Sequence, residues 1–555
     1  MATGTFGIAL TGLAAAQAGI RTTQHNIANV NTAGFRRQEV SYAALNPQLY
    51  GASFFGTGVG VSSVRNLYSQ FQDSQVLLNQ TQLSRNEAYA AQASQIDKLA
   101  GDANSGLRGA LEKFFSATQT VASDPTSGAA RQVMLSSGRN LAARFNSLAS
   151  TLKDIRVDSN REIAATATRI NTYAGQIAEL SGNIFRAEAG TGQPANDLRD
   201  QRDQLVSELN KLINVTPVQQ GDGAYNLFVG TGQPLVVGSR ASTVISVADT
   251  TTPEFDVPAL SLAGGAAQPL DASLLSGGSL GGLLAAREAV LRPAMQDLDR
   301  LALAFSDQFN DQHVLGFDKS GVAGGNFFTA SSTLFQQPVA QTGNTGTQVI
   351  NATLTNSAQI EASDYELSYN GATYTLTRLS DGVSSAAGTL AAVTTIGGVA
   401  QGFTLAAGAG VPAAGDRWLL RPSHGAAGSL TSLITDPNLI AASSTALGSP
   451  GDNANALLLA GLQTQANTVN GSDTFASAYA QLVARTATLA SEADINVAAF
   501  ETLTSQSRKA QQVISGVSLD EEAANLIRFQ QAYQASAKAM QVASSLFDDL
   551  IGAFR

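Results

Sequence analysis

The 555-residue chain contains no cysteine, which removes disulfides, thiolate metal sites and cysteine nucleophiles. Histidine is almost as scarce. His25, His313 and His424 are the only three, so imidazole catalysis or metal binding has few places to reside. Charged residues make up 14% of the chain where about 25% is ordinary, leaving Ser, Thr, Asn, Gln and Gly to supply the polar surface. The 33 basic residues are outnumbered by 43 acidic ones, and a net charge of −10 argues against a nucleic-acid partner, which needs a basic face. No apolar run reaches about 18 residues, so no membrane insertion is expected. Residues 6–20 are mildly apolar, but no Lys or Arg precedes them and Gly7, Thr11, Gly12 and Gln17 interrupt them. That is not the pattern of a cleaved Sec signal. What the chain does have is length for about three to four domains, and a hydrophobic content of 44% that suffices for real cores.

The two ends carry matching patterns. Phe6, Leu10, Leu13, Gln17, Ile20, Gln24 and Ile27 step by alternating four and three residues. Near the other end Leu526, Gln530, Tyr533, Ala537, Met540, Ser544, Phe547 and Ile551 do the same. Both are heptad seams, expected to pair with each other or with copies in neighbouring subunits. Two ordinary amphipathic helices on a globular core would give the same periodicity. The N-terminal stretch, however, holds Gly4, Gly7, Gly12 and Gly19, each costing about 1 kcal/mol in a helix interior. Ordering about 30 such residues costs on the order of 45 kcal/mol. This describes a segment that orders on assembly, disordered in a dilute monomer. Next to it, Asn26, Asn29 and Asn31 are placed to hydrogen-bond the backbone and stop the helix, and Gly34 supplies a turn before Phe35.

Between the ends, periodicity alternates. Residues 67–210 read as long helices, the clearest with Ile163, Ile170, Ile177 and Ile184 spaced by seven, a heptad seam inside a bundle that ends near Gly190-Thr191-Gly192. Residues 214–282 read as β, with strands at Tyr225–Val229 and Pro234–Val237. A helix returns through Leu284, Leu291, Leu298 and Phe305, beginning or kinking at Pro293. Residues 318–454 are β-like, with a hairpin signal around Asn370-Gly371, and residues 455–514 are helical again. The expected fold is multidomain and mainly α. Residues 1–35 plus 515–555 form terminal coiled-coil-like helices. Residues 36–213, 283–317 and 455–514 form a helical rod with an N-terminal linker, and 214–282 and 318–454 are two inserted β-rich domains.

Few residue patterns point to chemistry. Gly277-Gly278-Ser279-Leu280-Gly281 matches the nucleophile-elbow pattern of hydrolases, but the alternating strands and helices of that fold are missing. A Gly-rich turn with Ser279 capping the next helix explains it as well. Asp197, Asp200 and Asp203 recur every third residue, yet nothing completes a ligand set; they read as a solvated face with Arg199 and Asp203 paired. No catalytic residue, metal or cofactor is assigned.

Two segments carry a resemblance. "HNIANVNTAGFRRQ" (25–38) is similar to the N-terminal signature of the flagellar rod, hook and hook-associated axial proteins, with Ala33-Gly34-Phe35 where Pro-Gly-Tyr is usual. "SGVSLDEEAANLIRFQQAYQASAKAMQVASSLFDDLI" (515–551) resembles the end of the hook-associated protein 1 family. "NDLRDQRDQLVSEL", "GGSLGGLL" and "NDQHVLGFDKSG" add to it. The resemblance implies a structural, non-enzymatic subunit of the bacterial flagellum that joins hook to filament and is needed for filament assembly. It places the chain outside the cell, after type III export without a cleaved Sec signal. It implies as partners other copies of the chain, the hook protein, a second hook-associated junction protein, and a cytoplasmic export chaperone at the C-terminal segment. The family motif maps onto Asn26, Asn29, Asn31, Gly34 and Phe35. The assembly seams map onto Leu10, Leu13, Ile20 and Ile27, and onto Leu526, Tyr533, Met540, Phe547 and Ile551. A hook or rod protein of the same family, or a secreted hydrolase or adhesin, are the alternatives.

Overall fold

In the computed structural model, residues 2–50, 53–101, 106–220, 225–262, 264–446, 451–466, 469 and 471–553 are described. The chain begins with helix α1 (Ala2–Ala28). A β arm follows: β1 (Gln38–Ala44) pairs antiparallel with β4 (Val59–Asn66), and the short strands β2 (Gln48–Tyr50) and β3 (Ser53–Phe55) close its tip. These residues were expected to be a linker. The arm is held by packing on α1 rather than by a strand pattern of its own.

Four helices then build the rod: α2 (Gln70–Gly101), α3 (Leu107–Ser123), α4 (Gly128–Thr191) and α5 (Asn196–Leu212). Asp124-Pro125 ends α3, because Pro restricts the residue before it to extended backbone. The 64-residue α4 starts on the Ser127 side chain, which accepts from the Ala130 N–H, and stops at Gly192 in the left-handed region. Its isoleucine seam does not face other helices alone. Ile163, Ile170 and Ile177 share a core with α5 and with the first β insert. That insert is one sheet of β5 (Val215–Gln219), β6 (Tyr225–Val229), β7 (Gln233–Val237) and β8 (Arg240–Ala241), and another of β9 (Thr243–Ala248), β10 (Asp256–Ser261) and β11 (Gln268–Pro269). Asn171 of α4 donates to the Val244 carbonyl (2.8 Å) and accepts its N–H (2.7 Å), pinning β9 to the helix.

Helix α6 (Gly278–Ala286), a π-helical turn (Arg287–Leu291) and α7 (Arg292–Val314) run on end to end. Pro293 sits in the first turn of α7, where its missing N–H is tolerated, and the widened turn before it absorbs the irregularity. Beyond α8 (Ser331–Leu334) comes the outer β lobe. Its main sheet has the order β12-β19-β14-β15, from Val339–Ala340, Arg417–Leu420, Tyr365–Tyr369 and Tyr374–Arg378; β13 (Ile350–Leu354) pairs with β18 (Phe403–Ala407), and β16 (Thr395–Ile396) with β17 (Val399–Ala400). The expected hairpin forms, with a four-residue loop instead of a two-residue turn, because Asn370 Oδ1 accepts both the Ala372 and Thr373 N–H groups at 2.9 Å. Helices α9 (Ala426–Ser429), α10 (Ala454–Gly461), α11 (Phe475–Ser515) and α12 (Leu519–Ala553) complete the chain.

The rod and the root of the outer lobe share one core. Its centre is a cluster of buried phenylalanines, Phe114, Phe305, Phe309, Phe327, Phe328 and Phe475, with ring centroids such as Phe327–Phe328 4.8 Å apart. His313 lies against them, fully buried. Its Nδ1 donates to the Gly325 carbonyl (2.7 Å) and its Nε2 accepts the Ala441 N–H (3.0 Å). Burial, with the nearby Arg131 charge, pushes its pKa down to about 4 against the weaker pull of the Gly325 bond.

Candidate functional site

The ends of the chain meet. Helices α1 and α12 pack antiparallel, and three contacts fix their register. A Cβ on Gly12 would lie 2.9 Å from the Ser536 hydroxyl, and one on Gly19 would strike the Phe529 ring at 2.6 Å. Asn26 Nδ2 donates to Glu522 Oε2 at 3.2 Å. Each step of seven along α1 is thus matched by seven back along α12. Ala9, Ala16 and Thr23, buried on the same face, fill the intervening heptad positions. The seam of α1 is therefore made of small residues, one position away from the large ones singled out by periodicity. Glycine allows the backbones to approach closely, and that sets the interhelix distance.

This places the large side chains elsewhere. Leu10 is 50% exposed and Phe6 43%, while Leu13, Ile20 and Ile27 are half-buried at the flank of the seam. On α12, Leu526, Tyr533 and Met540 lie half-buried on the face turned to α1. Phe547 and Ile551 are exposed, because α12 runs on past the start of α1. The β arm lies along a second face of α1: Tyr42 Oη donates to the Ala15 carbonyl (3.3 Å) and the Val59 N–H to Thr11 Oγ1 (3.4 Å). From Asn26 to Ile8 this is about 27 Å of helix. At the far end, Leu45, Leu49, Phe54 and Phe55 of the arm tip are exposed, and residues 42–58 contain no charge at all.

At the near end the pair is tied to the rod. Asn26 Nδ2 donates to the Gln38 carbonyl (2.9 Å) and its Oδ1 accepts the Gln38 N–H (3.0 Å), so one side chain grips the backbone like a neighbouring strand. Asn29 Nδ2 caps the last turn of α1 at the His25 carbonyl (3.0 Å), while Asn31 is exposed. Gly34 adopts φ +80°, and a Cβ there would meet Gln204 at 2.9 Å. The Phe35 ring meets His25 edge-on at 5.3 Å.

Arg36 and Arg37 then point opposite ways, as successive extended residues do. Arg36 turns into the rod, where its guanidinium meets Asp203 of α5 and Asp73 of α2 (2.8 Å) and its N–H donates to Asp200 (3.0 Å). Arg37 turns to α12, bonding Glu521 and Glu522 at 2.7 Å each. Burial works against the Arg36 charge, but Asp203 and Asp73 outweigh it and raise its pKa. Burial pushes Asp200 up to about 7 despite the Arg36 bond. Its other oxygen accepts Asn66 Nδ2 (2.6 Å). Asp200 and Asp203 thus form a socket for the segment after the motif, not a solvated face, while the exposed Asp197 accepts Gln38 Nε2 (2.8 Å). Arg199 pairs instead with Glu188 (2.7 Å). Among the described residues, no group of three or more candidate ligands is placed to hold a metal ion. Beside this junction lies a cleft of about 1070 Å³ between residues 30–37, α2, α5 and the end of α11.

Comparison with known proteins matches residues 93–328 to the flagellar hook-associated protein FlgK helical domain, 339–422 to the flagellar hook-associated protein 1 D2-like domain, and 512–553 to the flagellar basal body rod FlgEFG protein C-terminal domain. The chain is 37% identical over 553 residues to flagellar hook-associated protein 1 of Escherichia coli K12, covering 98% of both. The chain belongs to the flagellar hook-associated protein 1 family. The Bacillus subtilis hook-associated protein 1 is 26% identical, with 97% of this chain and 96% of that one covered. The solved flagellar hook junction protein FlgK from Burkholderia pseudomallei superposes with a TM-score of 0.71 at 27% identity, over 80% of this chain and all of that one.

In this hook-associated protein 1 fold the G-x-S-x-G segment serves packing. Gly277 is the residue before α6, and Ser279 lies inside the helix with its hydroxyl buried and without a partner, so it does not cap it. A Cβ on Gly278 would strike Leu212 and Ile213 at 2.5–2.6 Å, and one on Gly282 the Arg85 carbonyl at 2.2 Å. The glycines let α6 lie directly on α2 and the end of α5. Sequence reasoning missed Arg36, Arg37, Asp73 and Glu522, and read Asp200 as part of a solvated acidic row. The available signal was a pair of arginines directly after the motif, with an acidic row elsewhere of otherwise unexplained spacing.

Proposed function

We infer that the chain is a structural subunit of the bacterial flagellum that joins hook to filament, and that the terminal helix pair is the part by which it is built in. Family membership carries the first statement. The second rests on one observation: the pair buries its small residues internally and leaves Phe6, Leu10, Phe547 and Ile551 outside, and the β arm packed on α1 exposes Leu49, Phe54 and Phe55 at its tip. An exposed apolar surface of this extent marks an interaction site. Its occupants are other copies of the chain, the hook protein below and a second hook-associated junction protein above. The assembled surface then covers the Leu10, Leu13, Ile20 and Ile27 side of α1 and the overhanging Phe547 and Ile551. Before assembly, a cytoplasmic export chaperone shields the C-terminal segment, and export follows the type III route with the N-terminus uncleaved. The rod and β lobes keep the outer surface.

Deleting the gene tests this reading. It predicts hooks without filaments and flagellin released to the medium. Normal filaments in the deletion strain would refute it.

A further inference from the structure

The loop between β9 and β10 joins the first β insert to the outer β lobe through Glu254 and Arg421. We propose that residues 252–256 are an interdomain latch: the first β insert reaches across with Glu254 and Phe255 to fix the base of the outer β lobe against the helical rod.

Three parts of the chain converge there. The first insert contributes Thr252, Glu254 and Phe255. The rod contributes Arg156 of α4, the π turn, and Arg292 and Asp299 of α7. The outer lobe contributes Asp364 and the segment Arg421–His424, which directly follows its last strand, β19. Glu254 forms an ion pair with Arg421, and both side chains are largely buried. The same Arg421 guanidinium donates to His424 Nδ1 (2.8 Å) and lies 3.6 Å from Asp364. Arg292 lies 3.9 Å from the same Asp364 oxygen and donates to Thr252 Oγ1 (3.3 Å). Asp299 accepts the Gly425 and Ala427 N–H groups at 2.9 and 3.0 Å, seating the next turn of the outer lobe on α7.

Phe255 is the wedge. It is buried, with the guanidinium of Arg292 at 4.4 Å, of Arg287 at 5.4 Å and of Arg156 at 5.8 Å from its ring centroid. The ring stabilises three cations that would otherwise repel one another. The loop carrying it is not free to swing. Asn160 Nδ2 donates to the Glu254 carbonyl (2.9 Å), Asn160 Oδ1 accepts the Asp256 N–H (3.2 Å), and Arg287 donates to the Asp256 carbonyl. The π turn brings Arg287 to this spot. A rigidly held carboxylate facing a buried arginine at a lobe's exit point restrains the lobe's angle as well as its attachment.

The test uses the full chain. With no native cysteine, Val133→Cys on α4 and Val383→Cys on the outer lobe, both at exposed positions, take spin labels without side reactions. The distance distribution between the labels should be narrow, and should broaden or shift in Glu254→Gln and in Phe255→Leu. Amides of residues 423–427 should exchange about ten- to hundredfold faster, as expected for loss of one charge-assisted bond. Glu366→Gln, which removes the outer-lobe pair with Arg417 away from the latch, should change neither. Should Phe255→Leu not fold, the nearly isosteric Glu254→Gln decides alone. An unchanged distribution and unchanged exchange in a folded Glu254→Gln chain would overturn the latch.

Discussion

At the scale of single residues, the junction depends on side chains that satisfy backbone groups. Asn26 holds both polar groups of Gln38 and one oxygen of the buried Glu522. Asn26→Ala leaves all three unpaired, and a loss of about 2–4 kcal/mol is expected from that many stranded groups. Thermal melts, with hydrogen exchange at residues 38–44, check it. Asp200 makes a pH-dependent contribution of known sign. Its pKa is about 7 folded against 3.8 ordinarily, so its contribution to stability is full below about 3.8 and is lost as pH rises through 7. Asp200→Asn should therefore raise the melting temperature at pH 8 and leave it nearly unchanged at pH 4. Asn66 Oδ1, now buried without a partner, can accept from the new amide once the Asn66 side chain turns over. His313 has the opposite sign. Its pKa of about 4 lies below 6.5, so its contribution is full above 6.5 and is lost as pH falls toward 4. His313→Phe should flatten that acid limb of the stability curve while lowering stability at pH 7, because the Ala441 N–H and Gly325 carbonyl lose their partner.

At the scale of elements, glycine position decides between tolerance and failure. Gly7 has nothing within 4 Å of a prospective Cβ, whereas Gly19 has the Phe529 ring. Gly7→Ala should stabilise isolated α1 by about 1 kcal/mol, and Gly19→Leu should push α1 off α12. Exchange protection of residues 4–28 in the two variants separates these outcomes. The same helix shows what a sequence discloses. Long periodic segments such as α4, and its stop at Gly192, were legible because caps and heptads are local. Periodicity marked the large apolar residues of α1 but not which face meets α12: Ala9, Gly12, Ala16 and Gly19 face it, while Leu13 and Ile20 lie half-buried at the flank and Phe6 and Leu10 are exposed. The Ile163–Ile177 seam was legible as a seam but not its partner, a β insert contributed from farther along the chain. The β arm lacked a local signal, since α1 supplies its support. The socket for Arg36 joins residues more than 150 positions apart, and no spacing rule reaches that far.

At the scale of the whole molecule, the chain divides its apolar residues between two tasks. Core phenylalanines and isoleucines hold the rod and lobes together, and Phe6, Leu10, Phe547 and Ile551 of the terminal pair are turned outward. The junction at Arg36 and Arg37 links the two parts, so the terminal pair presents a defined surface. The most direct test of this division is the double variant Phe6→Asp/Leu10→Asp, both residues being exposed in the single chain. Burying a Leu on assembly contributes about 1.5–3 kcal/mol per subunit, and a carboxylate in its place adds a desolvation cost. The measurement pairs the thermal melt of the purified monomer with its incorporation at hook tips in a strain lacking the wild-type chain. An unchanged melt with incorporation and filaments lost is the predicted result; normal incorporation would contradict the assignment of this surface to assembly.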